Sequence, residues 1–118
     1  MMIPVSSCYT GHMGKDTFHL KVEKFENVVT GNLSYLFHEK DQQTGTLEGR
    51  FMGDTLVADY TYASEGVTSI RQVAFLVKDN KAVEGYGELM DQNGKLVYKN
   101  TRSLTFGSGL VLETTACN

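Results

Sequence analysis

Apolar and polar residues alternate along most of the chain. In the stretch Thr55–Val77, Leu56, Ala58, Tyr60 and Tyr62 share one face. Val73, Phe75 and Val77 share one face of the segment that follows, and Ser64-Glu65-Gly66 lies between the two segments. A period of two is that of a half-buried strand, so this stretch predicts a β-hairpin. The pattern recurs upstream, where Phe18, Leu20 and Val22 alternate with polar residues and Val29, Gly31, Leu33, Tyr35 and Phe37 form a second apolar row. A two-residue turn at Glu26-Asn27 sets Val22 opposite Gly31, Leu20 opposite Leu33 and Phe18 opposite Tyr35, so the apolar faces coincide. A slip of one residue would turn every one of these side chains to the other face.

Further on, Leu47, Gly49 and Phe51 alternate with polar residues, and a turn at Gly53-Asp54 sets them against Tyr60, Ala58 and Leu56. Residues 68–78 read as a fifth strand, ended by the loop chemistry of Lys78-Asp-Asn-Lys81. A sixth runs from about Ala82 to Met90 with Val83, Gly85, Gly87 and Leu89 on its inner side. Asn93-Gly94 is a strong hairpin signal feeding Leu96-Val-Tyr98, and Ser103–Phe106 and Leu110–Leu112 supply one or two more strands. Asp41-Gln-Gln-Thr-Gly45 reads as a loop, and residues 1–15, which lack any period, as an irregular lead-in to a single domain over 16–118.

Eight or nine short strands, with no stretch of helical period, predict an all-β antiparallel domain. An up-and-down β-barrel of about eight strands is preferred to a β-sandwich, because nearly every connection reads as a hairpin and closure removes exposed sheet edges. Gly31, Gly49, Gly85 and Gly87 fall on the expected inner face. Small residues there let strands bend at barrel corners, or leave room for a ligand.

Composition narrows the partners. The 118 residues suffice for one core. Eleven basic and fourteen acidic residues are interspersed and sum to −3, which gives neither nucleic acid nor an anionic membrane a basic patch to meet. No apolar run approaches the roughly 20 residues of a transmembrane helix. The first residues, Met1–Cys8, are too short for a signal peptide's charged and apolar regions, so no export signal is expected within them, although Val5-Ser6-Ser7-Cys8 looks like a lipoprotein cleavage site without the apolar segment that precedes one.

Candidate chemistry is sparse. Arg71 shares its face with Val73, Phe75 and Val77, so it points into the barrel near one end, beside Tyr60, Tyr62 and Glu65. A buried guanidinium needs compensation. Either Glu65 or a tyrosine hydroxyl supplies it and plugs the barrel mouth, or Arg71 clamps an anionic ligand between walls formed by Tyr35, Tyr60, Tyr62 and Phe75. His12, His19 and His38 lack metal-ligand spacing, and no metal or other cofactor is expected. Glu84 and Glu88 alternate with an apolar row and are expected in solvent. No nucleophile–base or acid–base pair emerges, so no enzyme is expected.

Cys8 and Cys117 flank the first and last expected strands, which are neighbours in a closed meander. A disulfide between them is geometrically natural, while lipidation of Cys8 and two free thiols are the alternatives.

Several runs carry a family resemblance: Asp54–Gly66, Ser69–Phe75, Val83-Glu-Gly-Tyr-Gly87, Tyr35 with Glu39-Lys-Asp41, Thr44-Gly-Thr46, and Cys8-Tyr9 with Cys117. Together they resemble a group of small, uncharacterised secreted or lipoprotein domains from Bacteroidetes. The resemblance implies a calycin-like barrel, similar to lipocalins and avidins, in the cell envelope, with an export signal and a lipid anchor upstream. Two functions are then expected. One is a non-catalytic envelope domain holding a small or amphipathic ligand inside the barrel. The other is a filled-core domain that recognises a protein or glycan by its surface. A connected internal void lined by Tyr35, Tyr60, Tyr62 and Phe75 would distinguish the first from the second.

Overall fold

The computed structural model describes residues 5–39 and 42–117 of the chain, and every regular element among them is a strand. There are ten: β1 (Val5–Met13), β2 (Asp16–Phe25), β3 (Val28–Leu36), β4 (Gln43–Met52), β5 (Thr55–Ser64), β6 (Val67–Lys78), β7 (Lys81–Tyr86), β8 (Leu89–Gln92), β9 (Lys95–Tyr98) and β10 (Thr105–Thr115). Eight of them close an antiparallel barrel in the order β1-β2-β3-β4-β5-β6-β7-β10, with β10 returning to β1. The β8–β9 hairpin leaves the ring between β7 and β10, and β9 lies parallel to β6 at Leu96 and Arg71.

The registers expected of the β2–β3 and β4–β5 hairpins are those observed. Val22 pairs with Gly31, Leu20 with Leu33 and Phe18 with Tyr35; Leu47 pairs with Tyr60, Gly49 with Ala58 and Phe51 with Leu56. Three turns set both central residues at positive φ: Glu65-Gly66 (53° and 78°), Asp79-Asn80 (55° and 64°) and Asn93-Gly94 (56° and 85°). That backbone matches the right-handed twist of the strands it joins. At Gly31 a side chain would run into the Lys21 carbonyl oxygen, so only glycine lets β2 and β3 approach this closely there.

Four expectations need correction. Residues 5–13 are not an irregular lead-in but β1, paired along its length with β2 and at Cys8–Thr10 with β10, while residues 1–4 lie outside the described residues. The inner positions of β1 include Tyr9 and Gly11, and this row is too poor in large apolar residues to register as a strand. Gln43–Gly45 belong to β4 and not to a loop; Lys40 and Asp41 lie outside the described residues. The expected sixth strand is two elements, β7 and β8. In β7 the faces are reversed, because Phe75 pairs with Glu84 and Val77 with Ala82, which places Ala82 and Glu84 inside. Gly85 and Gly87 face outward beneath Phe106 and Leu104. Of the one or two strands expected at the end of the chain the structure has one, β10, with a bulge between Phe106 and Val111.

The middle of the barrel is filled. Leu20, Leu33, Leu56, Phe75 and Leu112 pack there essentially without exposure. Burying such side chains contributes about 1.5–3 kcal/mol each. Cys8 and Cys117 are joined by a disulfide, with their Cα atoms 5.3 Å apart, and the bond ties β1 to the segment leaving β10.

Candidate functional site

Above the packed middle, one end of the barrel is built around Arg71. Arg71 pairs with Tyr60 in the β5–β6 ladder and so takes the inward parity of Val73 and Phe75. Its guanidinium carbon lies 5.4 Å from the ring centre of Tyr35, 5.6 Å from that of Tyr60 and 5.7 Å from that of Tyr62. Each such contact is worth about 0.5–1 kcal/mol where exposed and more where dry. The cage is fixed by its own contacts. Tyr60 and Tyr62 stack at 4.9 Å, Tyr35 meets Tyr60 edge-on at 5.9 Å, and the Tyr60 hydroxyl donates to the Leu33 carbonyl at 2.9 Å.

Glu84 enters from β7 and is only 7% exposed. The Tyr35 hydroxyl donates to its Oε2 at 2.7 Å and the Tyr86 hydroxyl to its Oε1 at 2.8 Å. Tyr86 in turn packs against Gly109 in the β10 bulge, and its oxygen accepts the Leu110 amide at 3.4 Å. A side chain on Gly109 would collide with that ring. The bulge therefore completes the support for a buried carboxylate, in keeping with the common placement of bulges beside sites.

Arg71, Glu84, Tyr35, Phe18, Phe37 and Leu110 are among the residues lining a cavity of about 280 Å³ that opens at this mouth. Among the described residues no carboxylate lies within ion-pair distance of Arg71. Burial opposes its charge, but Tyr35, by charge and hydrogen bonding, and then Glu84 and Tyr62 outweigh that effect and raise its pKa. Burial raises the Tyr35 hydroxyl, Glu84 raises it further, and Arg71 acts against both. Tyr60 is pushed up to about 12, chiefly by burial, with Arg71 again opposing. Tyr86 is raised by burial and by its bond to Glu84. The result is a permanent cation among neutral phenols, and Glu84, whose charge acts on it, accepts the Tyr35 hydroxyl.

The residues expected at this site are thus only partly brought together. Arg71, Tyr35, Tyr60 and Tyr62 form one cluster. Phe75 is fully buried in the middle of the barrel and does not line the cup. Glu65 sits exposed in the β5–β6 turn, and the carboxylate whose charge acts on Arg71 is Glu84. Glu84, expected in solvent, is instead the buried acid of the site; Glu88 is exposed and pairs with Lys99 at 3.2 Å. Sequence reasoning also missed Tyr86, Phe18 and Phe37 as cup residues. The alternation of Phe18, Tyr35 and Phe37 could have placed them at the same barrel end as Arg71, whereas nothing local marks Glu84.

The remaining chemistry is dispersed. His12 and His19 lie on the outer face of β1 and β2, each near a threonine, and His38 follows β3 beside Glu39. Among the described residues no group of three His, Cys, Asp or Glu side chains is placed to hold a metal ion. A second cavity of about 230 Å³ opens at the opposite mouth, where Lys24 lies 5.2 Å from the Phe51 ring centre. The two mouth cavities share no lining residue, so no continuous void of the expected kind joins them through the middle. An outer groove of about 630 Å³ is lined by Arg50, Glu48, Asp59, Gln72 and Thr101 among others.

Comparison with protein families, with curated proteins and with solved structures found no match for this chain.

Proposed function

We propose that this chain is a non-catalytic binding module of the cell envelope and that the cup at Arg71 holds a small or amphipathic ligand. One observation carries the reading: a guanidinium caged by three tyrosine rings faces a cavity of about 280 Å³, with no carboxylate at ion-pair distance among the described residues. A concave, largely apolar site with a few convergent polar groups is the usual form of a small-molecule site. The reading is one of binding because Glu84, the acid in the cup, has both oxygens committed to tyrosine hydroxyls.

The Cys8–Cys117 disulfide supports an oxidising compartment. No helix among the described residues is long and apolar enough to cross a membrane. Kinship with the Bacteroidetes envelope domains, and a calycin-like ancestry, belong to the same proposal. A lipid anchor would have to attach elsewhere than Cys8, whose sulfur the disulfide occupies.

A thermal-shift screen of small molecules of positive, negative and zero charge tests the reading. Binders should stabilise the parent by about 2.7 kcal/mol at a hundredfold excess over Kd. The same compounds should lose most of that effect on Met13→Trp, a substitution at a half-exposed rim position of the cup. A screen with no binder, or with binders indifferent to Met13→Trp, overturns it.

The filled middle of the barrel favours a second reading, a domain that recognises a protein or glycan through its outer surface. The groove at Arg50 and Thr101 is the place for it. Array binding abolished by Arg50→Glu and untouched by Met13→Trp would establish this in place of the first.

A further inference from the structure

The geometry points to a short monocarboxylate as the ligand of the Arg71 cup, with an apolar part no larger than one aromatic ring or a chain of about eight carbons; this rests on the binding role proposed for the cup. Three features of the site set the class.

The first is charge. Arg71 lines the cup from its tyrosine cage, hydrogen-bonded to Tyr35, and a planar guanidinium matches a carboxylate with two parallel hydrogen bonds. Glu84 stands in the same wall, behind the Tyr35 and Tyr86 hydroxyls. Its negative charge disfavours a dianion more than a monoanion, so a phosphate monoester is disfavoured relative to a carboxylate.

The second is size. A cavity of about 150 Å³ holds benzene, and this one is about 280 Å³, which leaves space for roughly a ring and a carboxylate together.

The third is depth. The floor of the cup rests on the packed layer of Leu20, Leu33, Phe75 and Leu112, so a long acyl chain has no channel to follow toward the opposite mouth. The walls supplied by Phe18, Phe37 and Leu110 are apolar, which suits the tail of such an acid and not a sugar.

Calorimetric titration of the disulfide-bonded chain with phenylacetate, octanoate, palmitate and phenyl phosphate tests this. Phenylacetate and octanoate should bind one to one. Palmitate should bind no more tightly than octanoate, and phenyl phosphate at least about tenfold more weakly than phenylacetate. Arg71→Met should lower phenylacetate affinity by at least about tenfold. Gln43→Glu, which puts a carboxylate at the rim of the cup without changing size, should weaken it by about threefold to tenfold and guards against a misfolded Arg71 variant.

Affinity that climbs with chain length to palmitate, or that is equal for phenyl phosphate, overturns the ligand class. Binding of phenylacetate unaffected by both substitutions overturns it too. If none of the four probes binds, the monocarboxylate inference fails, and the broader binding role is then decided by the charge-blind thermal screen and its Met13→Trp control.

Discussion

At the scale of single residues, two charges behave differently although both face the barrel interior. Glu84 is structural: it accepts two tyrosine hydroxyls, and removing it strands both donors. Glu84→Ala should cost about 2–4 kcal/mol in urea unfolding, and Glu84→Gln, which keeps one acceptor oxygen, about half of that. Equal losses for the two would mean that the charge, and not the hydrogen bonds, holds the tyrosines. Arg71 touches ring faces and no carboxylate among the described residues. Losing its ring contacts is offset by relief of its desolvation, so Arg71→Met should stay within about 1 kcal/mol of the parent. A loss of about 3–5 kcal/mol would make Arg71 the obligatory partner of a buried carboxylate instead of a ligand clamp. The inward parity of Arg71 was legible because Val73, Phe75 and Val77 fix the face of β6. The burial of Glu84 was not, because its partners lie 49 residues upstream in β3 and two residues downstream in its own strand.

Elements show the same division. The β2–β3 and β4–β5 hairpins were readable residue by residue, since each of their strands has one mainly apolar and one mainly polar face and the turns are short. β7 has small apolar residues on both faces: Ala82 packs inside beside Glu84, while Gly85 lies outside beneath Phe106. Alternation carries no face information in such a strand, and the glycine and valine row drew the inner assignment to the wrong side. β1 was illegible for the opposite reason, as its inner row is sparse in large apolar groups. Its role is nonetheless to complete the ring. A chain lacking residues 1–13 would leave edges of β2 and β10 open, and it should show no cooperative thermal transition. A sharp melt in that truncated chain would contradict barrel closure through β1. By contrast the Lys95–Asp59 pair, at 2.6 Å, tethers the β8–β9 hairpin to the outer face of β5 and is partly solvated. Lys95→Ala should therefore cost less than about 1 kcal/mol.

For the molecule as a whole, closure is reinforced covalently. The disulfide spans 109 residues, and by the chain-entropy argument it removes about 4–5 kcal/mol of denatured-state freedom. Cys8→Ser with Cys117→Ser should lower the unfolding free energy by that order, and reductant should do the same to the parent but leave the double variant unchanged. Alkali is the second global lever. Tyr60, held up chiefly by burial, and Tyr98, held up chiefly by burial and then by Glu84, each sit at about 12 against 10.0 for a free phenol. A pKa raised in the folded state gives stability that is full below pH 10 and is lost as pH rises through about 12, because the unfolded chain releases those protons first. Urea midpoints should be flat up to pH 10 and fall steeply between 10 and 12; a flat profile across that range would show that the phenols are solvated.

Titration of phenylacetate into the 15N-labelled chain, followed amide by amide, separates the cup from the outer groove. Saturable shifts gathered at Met13, Tyr35, Arg71, Glu84 and Leu110 are the predicted result, with Asn27, Arg50 and Thr101 unmoved. Shifts gathered instead at Asn27, Arg50 and Thr101 would contradict a ligand site at Arg71, and no saturable shift anywhere at millimolar ligand would contradict a monocarboxylate as its ligand.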